Sequence, residues 1–167
     1  MVRPRLATRL LLGGIAGFAA TLPMTALMRI VHKRLPAQDR YPPTPRELTD
    51  SLADTVGLEL SEPGARNITL GAHYAYGAAA GALVAVIAPR PGLATGAGAG
   101  VAVWAASYLG WIPALGLLKP ATEQPAARNA MMIATHLLWG AALSVALSEL
   151  GEEHRKLVAG GADWDRT

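Results

Sequence analysis

The stretch "AMMIATHLLWGAALSVALSEL", residues 130–150, is an apolar run of helical length that carries one acid and no basic residue. A helix needs about 20 residues to cross a hydrocarbon core of about 30 Å, so this run predicts a transmembrane helix. Three other stretches satisfy the same requirement. The four predicted spans are residues 10–31, 68–88, 93–118 and 130–150.

The composition agrees with an all-α integral membrane protein. Charged residues make up only 16% of the 167 residues and are gathered into a few segments, which is typical of membrane proteins. We therefore predict a four-span membrane domain over residues 1–151, with a polar connection at residues 32–67 and a polar, frayed tail at residues 152–167. The arginines beside apolar runs indicate membrane flanks and no nucleic-acid-binding face. The absence of cysteine excludes disulfides and thiolate sites.

The polar connection predicts one short amphipathic helix. Thr44, Pro45 and Glu47 have the spacing of a capping box, in which the glutamate reaches back to the helix start. Leu48, Leu52 and Val56 then lie on one face, and Gly57 or Pro63 is expected to end the helix. Two positions for this helix remain open, either on the membrane surface or bundle end, or exposed to solvent without a contact role.

Glycines spaced four apart predict helices that pack closely. They occur as Gly13 and Gly17, as Gly77 and Gly81, and as the set at positions 92, 96 and 100. Each set lies on one helix face and lets a neighbouring backbone approach. From these faces we expect self-association into a homo-oligomer. The tight turn at residues 88–92 predicts that the second and third spans are antiparallel neighbours.

Two pairs of matching segments indicate an internal repeat. "ARNITLGAHYAYGAA" (65–79) resembles "ARNAMMIATHLLWGAA" (127–142), and "GIAGFAAT" (14–21) resembles "GVAVWAAS" (100–107). The matches occur in the same order, which predicts two duplicated helical hairpins with the same orientation in the membrane. Because the first span is then the counterpart of the third, we expect it to be retained and not cleaved as a signal peptide.

The repeat places one histidine in each hairpin at membrane depth. At about 1.5 Å per residue, His73 and His136 lie roughly 10 to 12 Å inward from the arginines that precede them. Thr21 and Ser107 have similar depths on the antiparallel helices, so these four residues form a candidate polar intramembrane site. Three interpretations stay open: His-to-hydroxyl hydrogen bonds that only fix packing, a polar pathway lined by both histidines, and bis-histidine haem ligation.

The repeated Arg-Asn pairs mark the starts of the histidine helices. We expect Arg66 and Arg128 to extend to the lipid headgroups, with Asn67 and Asn129 beside them. The sequence contains no nucleophile-base pair, phosphate loop, HExxH motif or paired carboxylates within the spans. It therefore predicts no catalytic residue, no metal site and no cofactor, haem excepted as an alternative.

The segment "PALGLLKPATEQPAARNAMMIATHLLW" (113–139) resembles the YagU-like family of uncharacterised bacterial inner-membrane proteins. Nine positions carry the likeness: Pro113, Gly116, Leu117, Pro120, Pro125, Asn129, His136, Leu137 and Trp139. His73 and Tyr76 match an earlier His-plus-aromatic segment of the family. The chain departs from that family near Asn129, where Arg128 replaces nearby acids. The resemblance implies a multi-pass inner-membrane protein without an assigned reaction.

These observations predict a polytopic protein of the bacterial inner membrane that is not an enzyme. Both termini are expected in the cytoplasm, although basic residues are nearly balanced between the two sides. We expect a small transport, permeation or stress-related component whose partners are the lipid bilayer and copies of itself or another membrane protein. The alternatives are a membrane redox subunit with His-ligated haem and a structural scaffold for a partner protein.

Overall fold

The computed structural model describes residues 5–35 and 44–164, and every regular element within those ranges is helical. Six α-helices occur in them, and the chain from α4 to α5 is continuous through a π-helical segment. A short 3-10 turn, Ala121–Glu123, precedes α6. The helices are α1 Leu6–His32, α2 Thr44–Thr55, α3 Glu62–Ile87, α4 Leu93–Ala105, α5 Ile112–Ala114 and α6 Ala126–Trp164.

Three of these helices, α1, α3 and α6, are long and apolar enough to cross a membrane. The sequence predicted an apolar span within each of the three, and each helix begins before the predicted start of its span. α1 continues through Pro23, and α3 begins at Glu62, six residues before the predicted start of its span. The all-helical fold is therefore confirmed, and these three helices support the membrane class.

The third predicted span, residues 93–118, is not one continuous α-helix. α4 ends at Ala105, the chain continues as a π-helical segment Ala106–Trp111, and α5 closes at Ala114. Pro113 lacks the N–H that would bond the carbonyl four residues earlier, and its ring crowds that carbonyl. The backbone departs from helical angles at Gly110, with φ −113° and ψ −108°. Proline and glycine together thus produce the irregularity.

The polar tail is helical and not frayed over most of its length. α6 runs without interruption through the predicted end of the fourth span to Trp164. Lys156 Nζ lies 2.8 Å from Glu153 and 3.4 Å from Glu152, so ion pairs one turn apart support the exposed helix. Residues 165–167 lie outside the described ranges.

α1 packs against both α3 and α6, and α4 packs against α6. Gly13 of α1 faces Gly81 while Gly17 faces Gly77, so α1 and α3 are antiparallel. The turn at residues 88–92 was expected to hold the second and third spans together as neighbours, but the α3 and α4 backbones do not pack extensively. Helix α3 instead packs its glycine face against α1, and α4 packs its glycine face against α6.

The close-packing glycines are used within the chain. A Cβ on Gly81 would lie 2.6 Å from the Cα of Gly17, and a Cβ on Gly140 would lie 2.7 Å from the carbonyl carbon of Gly96. Gly92 is the exception, because nothing lies within 4 Å of its Cβ position. The glycine faces therefore explain intramolecular packing and give no support to the expected homo-oligomer.

The packing register differs between the two hairpins. A Cβ on Gly17 would meet the carbonyl oxygen of Gly77, and a Cβ on Gly96 would meet that of Gly140, the residue aligned with Gly77. The sequence alignment instead pairs Gly17 with Val103, seven residues beyond Gly96, which is about two helical turns. The proposed repeat of the first and third spans is therefore not reproduced in the packing.

Helix α2 lies over one end of the bundle. Thr69 Oγ1 of α3 donates to Thr49 Oγ1 at 3.0 Å, and Leu48 packs on the apolar cluster around Met28 and Met132. Gly57, with φ +67°, ends the helix close to the expected place. The structure thus selects the bundle-end position for this amphipathic helix.

The bundle interior contains buried hydroxyls, while its exterior carries leucines and other large apolar side chains. Thr21 Oγ1 donates to the Gly17 carbonyl at 2.8 Å, and Thr25 Oγ1 to the Thr21 carbonyl at 2.7 Å. Leu22 and Leu83 are among the exposed residues. Polar groups inside and apolar groups outside suit a hydrocarbon solvent.

Candidate functional site

A cavity of about 420 Å³ lies beneath α2, between α1, α3, α6 and the π-helical segment. We call it the apolar cavity, because leucine, valine, alanine and aromatic side chains form most of its wall. All four residues of the predicted polar intramembrane site line it, namely Thr21, His73, Ser107 and His136. The fold thus brings together residues from four separate segments.

His73 stands half-buried on α3 and has an unused nitrogen. Its Nε2 is buried and has no hydrogen-bond partner within residues 5–35 and 44–164. The ring centroid lies 6.1 Å from that of Tyr74, with the rings nearly perpendicular. A buried imidazole nitrogen of this kind favours a ligand group or water at that position.

His136 is buried on α6 and held in place by its own helix. Its Nδ1 lies 2.7 Å from the Met132 carbonyl oxygen, so Nδ1 donates and Nε2 keeps a lone pair. The Tyr108 ring packs perpendicular to it at a centroid distance of 6.2 Å. This histidine is therefore fixed in orientation and offers an acceptor.

The two hydroxyls bond to groups other than the histidines. Thr21 Oγ1 also accepts the indole N–H of Trp139 at 3.3 Å. Ser107 Oγ donates to the Val103 carbonyl at 2.8 Å and accepts from Tyr76 Oη at 2.7 Å. Neither of the expected His-to-hydroxyl bonds is among these contacts, so packing of this kind does not account for the histidines.

The two Arg-Asn pairs have different environments. Arg66 and Asn67 are exposed at the start of α3. Arg128 is buried and forms an ion pair with Glu47, so it does not extend to headgroups as expected. The predicted capping box depends on Thr44, whose side chain lies outside the described part of the chain. Asn129 Nδ2 donates to the Ala121 carbonyl at 2.6 Å. Within the described ranges, no helix comparable to α2 stands between the third predicted span and α6. The start of α3 and the start of α6 are therefore not equivalent.

A second cavity, of about 440 Å³, opens beside the first, and several basic side chains are among the residues that line it. We call it the basic cavity. Its basic side chains come from α1, α2, α3 and the residue following α1, and no acid is among the described residues that line it. These side chains are Arg29, His32, Lys33, Arg46, Arg66 and His73.

The two cavities meet at Pro45, Thr69 and His73, each of which lines both. Sequence reasoning treated the arginines near this end as separate membrane flanks and missed their convergence. The run "HKR" at residues 32–34 was the available signal, but only the fold shows that α3 adds Arg66 to it. The sequence also did not predict the hydrogen bond between Tyr76 and Ser107, because the two residues are brought together only by the fold.

No group of three or more His, Cys, Asp or Glu side chains that could hold a metal ion occurs in the part of the chain that the structure describes. The two histidines share a cavity but come from different helices, α3 and α6. They are the residues that could ligate a haem, as considered from the sequence. The remaining apolar wall suits a lipid-like or other apolar molecule equally well.

A scan against protein-family models finds no match to this chain. Searches of curated proteins and of solved structures likewise find none. Functional assignment therefore rests on the side chains and cavities described above.

Proposed function

We propose that this protein is a small, non-enzymatic, multi-pass membrane protein of the transport or permeation class. Its apolar cavity binds a small apolar or amphipathic molecule. The observation that carries this proposal is the convergence of His73, His136, Ser107 and Tyr76 on one largely apolar cavity of about 420 Å³.

The cavity has the features of a small-molecule site. Its volume lies within the range of roughly 300 to 1,000 Å³ common for ligand pockets, and apolar walls with a few placed polar groups are typical of them. His73 Nε2 is a polar atom without a protein partner among the described residues. A ligand that satisfies this nitrogen gains a hydrogen bond in surroundings where an unmade one is costly.

The proposed topology has four crossings. In addition to α1, α3 and α6, the continuous path from α4 through α5 supplies the fourth, with Gly110 and Pro113 irregular within it. Protein-lined irregular backbone is compatible with membrane depth. We further propose an inner-membrane location, cytoplasmic termini and membership of the YagU-like family, on the sequence resemblance and the basic amino terminus.

Single-cysteine labelling tests this topology, since the chain has no cysteine of its own. Ala7 and Lys156 are exposed near opposite ends of the chain, and cysteines replacing them are expected to react with an impermeant maleimide from the same side of the membrane. A cysteine replacing Ser51 should react from the opposite side. Termini on opposite sides would overturn the four-crossing topology.

The binding proposal is tested by filling the apolar cavity. Ala72 lines it from an exposed position on α3, so Ala72→Phe should occupy space without disturbing helix packing. Ala79→Phe is the matched control, because Ala79 is also exposed on α3 but does not line the cavity. In proteoliposomes assayed from pH 5 to 8, only the first variant should lose saturable uptake or binding of alkyl probes. Equal behaviour of both variants would contradict the proposal.

The haem alternative is favoured by the placement of both histidines in one cavity. Protein expressed with ample haem and purified in detergent should then show a Soret band that His73→Ala and His136→Ala each abolish. Absence of the band removes the redox function. A scaffold function instead predicts that the double histidine variant changes stability while leaving any proton or solute flux unaltered.

A further inference from the structure

We propose that the ligand is an anionic amphiphile, with a phosphate-bearing headgroup in the basic cavity and an acyl chain in the apolar cavity. The acyl-chain half of this inference rests on the proposed function. The headgroup half rests on the second cavity, which that proposal does not use. A membrane lipid with an anionic phosphodiester headgroup has the required chemistry.

Three cations of the basic cavity are available to an anion. Arg29, Lys33 and Arg66 have no ion-pair partner within the described ranges. Guanidinium and ammonium groups are the usual phosphate ligands of proteins, and guanidinium can bind two phosphate oxygens at once. Their convergence from different helices on one cavity distinguishes them from arginines that extend separately into the headgroup layer.

Arg46 has a different role, because acids already neutralise it. Its guanidinium donates to Asp50 at 2.8 Å and to Glu62 at 3.0 Å. These carboxylates raise the pKa of Arg46, with the hydrogen bond to Glu62 making the largest contribution. This network joins α2 to the start of α3 and thereby fixes the wall of the basic cavity.

Because the two cavities share lining residues, the basic side chains of one are continuous with the apolar wall of the other. Thr69 and His73 stand one helical turn apart on α3, and both line the two cavities. His73, whose Nε2 has no hydrogen-bond partner among the described residues, lines both cavities. A lipid has its polar glycerol or ester groups between headgroup and chain. The basic side chains, then Thr69 and His73, then the apolar wall follow the same order.

Native mass spectrometry of the detergent-solubilised protein tests the inference with three probes. These are phosphatidylglycerol, phosphatidylcholine of the same chains, and inorganic phosphate as a competitor. Wild-type protein should retain phosphatidylglycerol more tightly than phosphatidylcholine. Inorganic phosphate at the same concentration should not displace it, because phosphate has no chain for the apolar cavity.

Charge removal provides the site-specific variant. The double variant Lys33→Gln, Arg66→Gln should weaken phosphatidylglycerol binding by at least about tenfold, since each basic residue near an anionic lipid contributes about fivefold. The matched control is Arg90→Gln, Arg155→Gln, which removes two exposed charges away from both cavities. That control should bind phosphatidylglycerol like the wild type.

The outcomes separate this inference from the proposed function. Equal binding of both lipids, or equal losses in the two charge variants, overturns the headgroup site. If Ala72→Phe still blocks binding in that case, the apolar-cavity proposal stands. Displacement by inorganic phosphate alone would show a free-phosphate site and overturn the lipid assignment. If Ala72→Phe loses phosphatidylglycerol binding and Lys33→Gln, Arg66→Gln weakens it more than the control does, the apolar-cavity proposal and the headgroup site are both supported.

Discussion

The indole N–H of Trp139 on α6 lies 3.3 Å from Oγ1 of Thr21 and 3.3 Å from the Gly17 carbonyl, both on α1. Trp139 is buried and belongs to the same apolar cluster as Ala16 and Ala20. This contact is a hydrogen-bonded link between α6 and the hairpin of α1 and α3. It also forms part of the wall of the apolar cavity.

We expect Trp139→Phe to lower the free energy of unfolding by about 1 to 2 kcal/mol. Interhelical hydrogen bonds in membranes contribute roughly 0.6 to 1.7 kcal/mol, and the smaller ring adds a packing loss. Steric trapping in lipid bicelles measures the change. Trp104→Phe is the control, because Trp104 Nε1 is buried without a partner among the described residues and its removal relieves an unmet donor. A larger loss for Trp104→Phe would contradict the prediction.

The contact between Gly17 and Gly81 predicts that α1 and α3 tolerate no side chain at this crossing. Gly81→Ala should cost about 1 to 3 kcal/mol, the usual range for overpacking, because its Cβ would lie 2.6 Å from the Gly17 Cα. Gly71→Ala on the same helix has nothing within 4 Å and should stabilise the helix by up to about 1 kcal/mol. Thermal unfolding in detergent compares the two. Equal effects would mean that the helices do not cross here.

The Glu47–Arg128 ion pair predicts energetic coupling between α2 and α6. Arg128 has only 7% of its side chain exposed, so losing the Glu47 carboxylate removes an ionic partner from a guanidinium in a poorly solvated place. We expect Glu47→Gln to destabilise the protein by about 1 to 3 kcal/mol. A double-mutant cycle with Arg128→Gln should give a coupling energy of at least about 1 kcal/mol. Additive effects would show that the pair contributes no net stability.

The π-helical segment predicts fast backbone hydrogen exchange within an otherwise protected helix. Residues 106–111 precede Pro113, which cannot donate to the Leu109 carbonyl. Hydrogen exchange with mass spectrometry should show less protection over this segment than over the membrane-crossing part of α6. Pro113→Ala should raise the protection. Unchanged exchange in the variant would place the cause of the irregularity elsewhere.

Local sequence information was sufficient for the apolar helices and for α2. Hydropathy and length alone identify α1, α3 and α6, because in lipid each helix satisfies its own backbone. The leucine face of α2 also followed from spacing, and Gly57 is one of the two ends that the sequence offered for this helix. Helix bounds were less accurate, since α3 begins at Glu62 and α6 continues to Trp164.

Partner choice could not be read from spacing. Equal GxxxG spacings do not show which glycine faces which. The packing registers of the two hairpins differ by about two helical turns. The site was therefore predicted in part: His73, His136, Thr21 and Ser107 were identified as polar residues of the predicted spans, but their bonding partners were not. Tyr76 and Trp139 reach those hydroxyls from other helices.

By itself, the sequence determined that this chain is all-helical, with helices long and apolar enough to cross a membrane, since hydropathy and periodicity are local properties. Only the tertiary structure decided that Arg128 is buried against Glu47 and that Arg29, Lys33 and Arg66 converge on one cavity. The first outcome depends on where α2 lies, and the second on how α1 packs against α3. Both arrangements result from contacts between residues far apart in the chain, which no local pattern encodes.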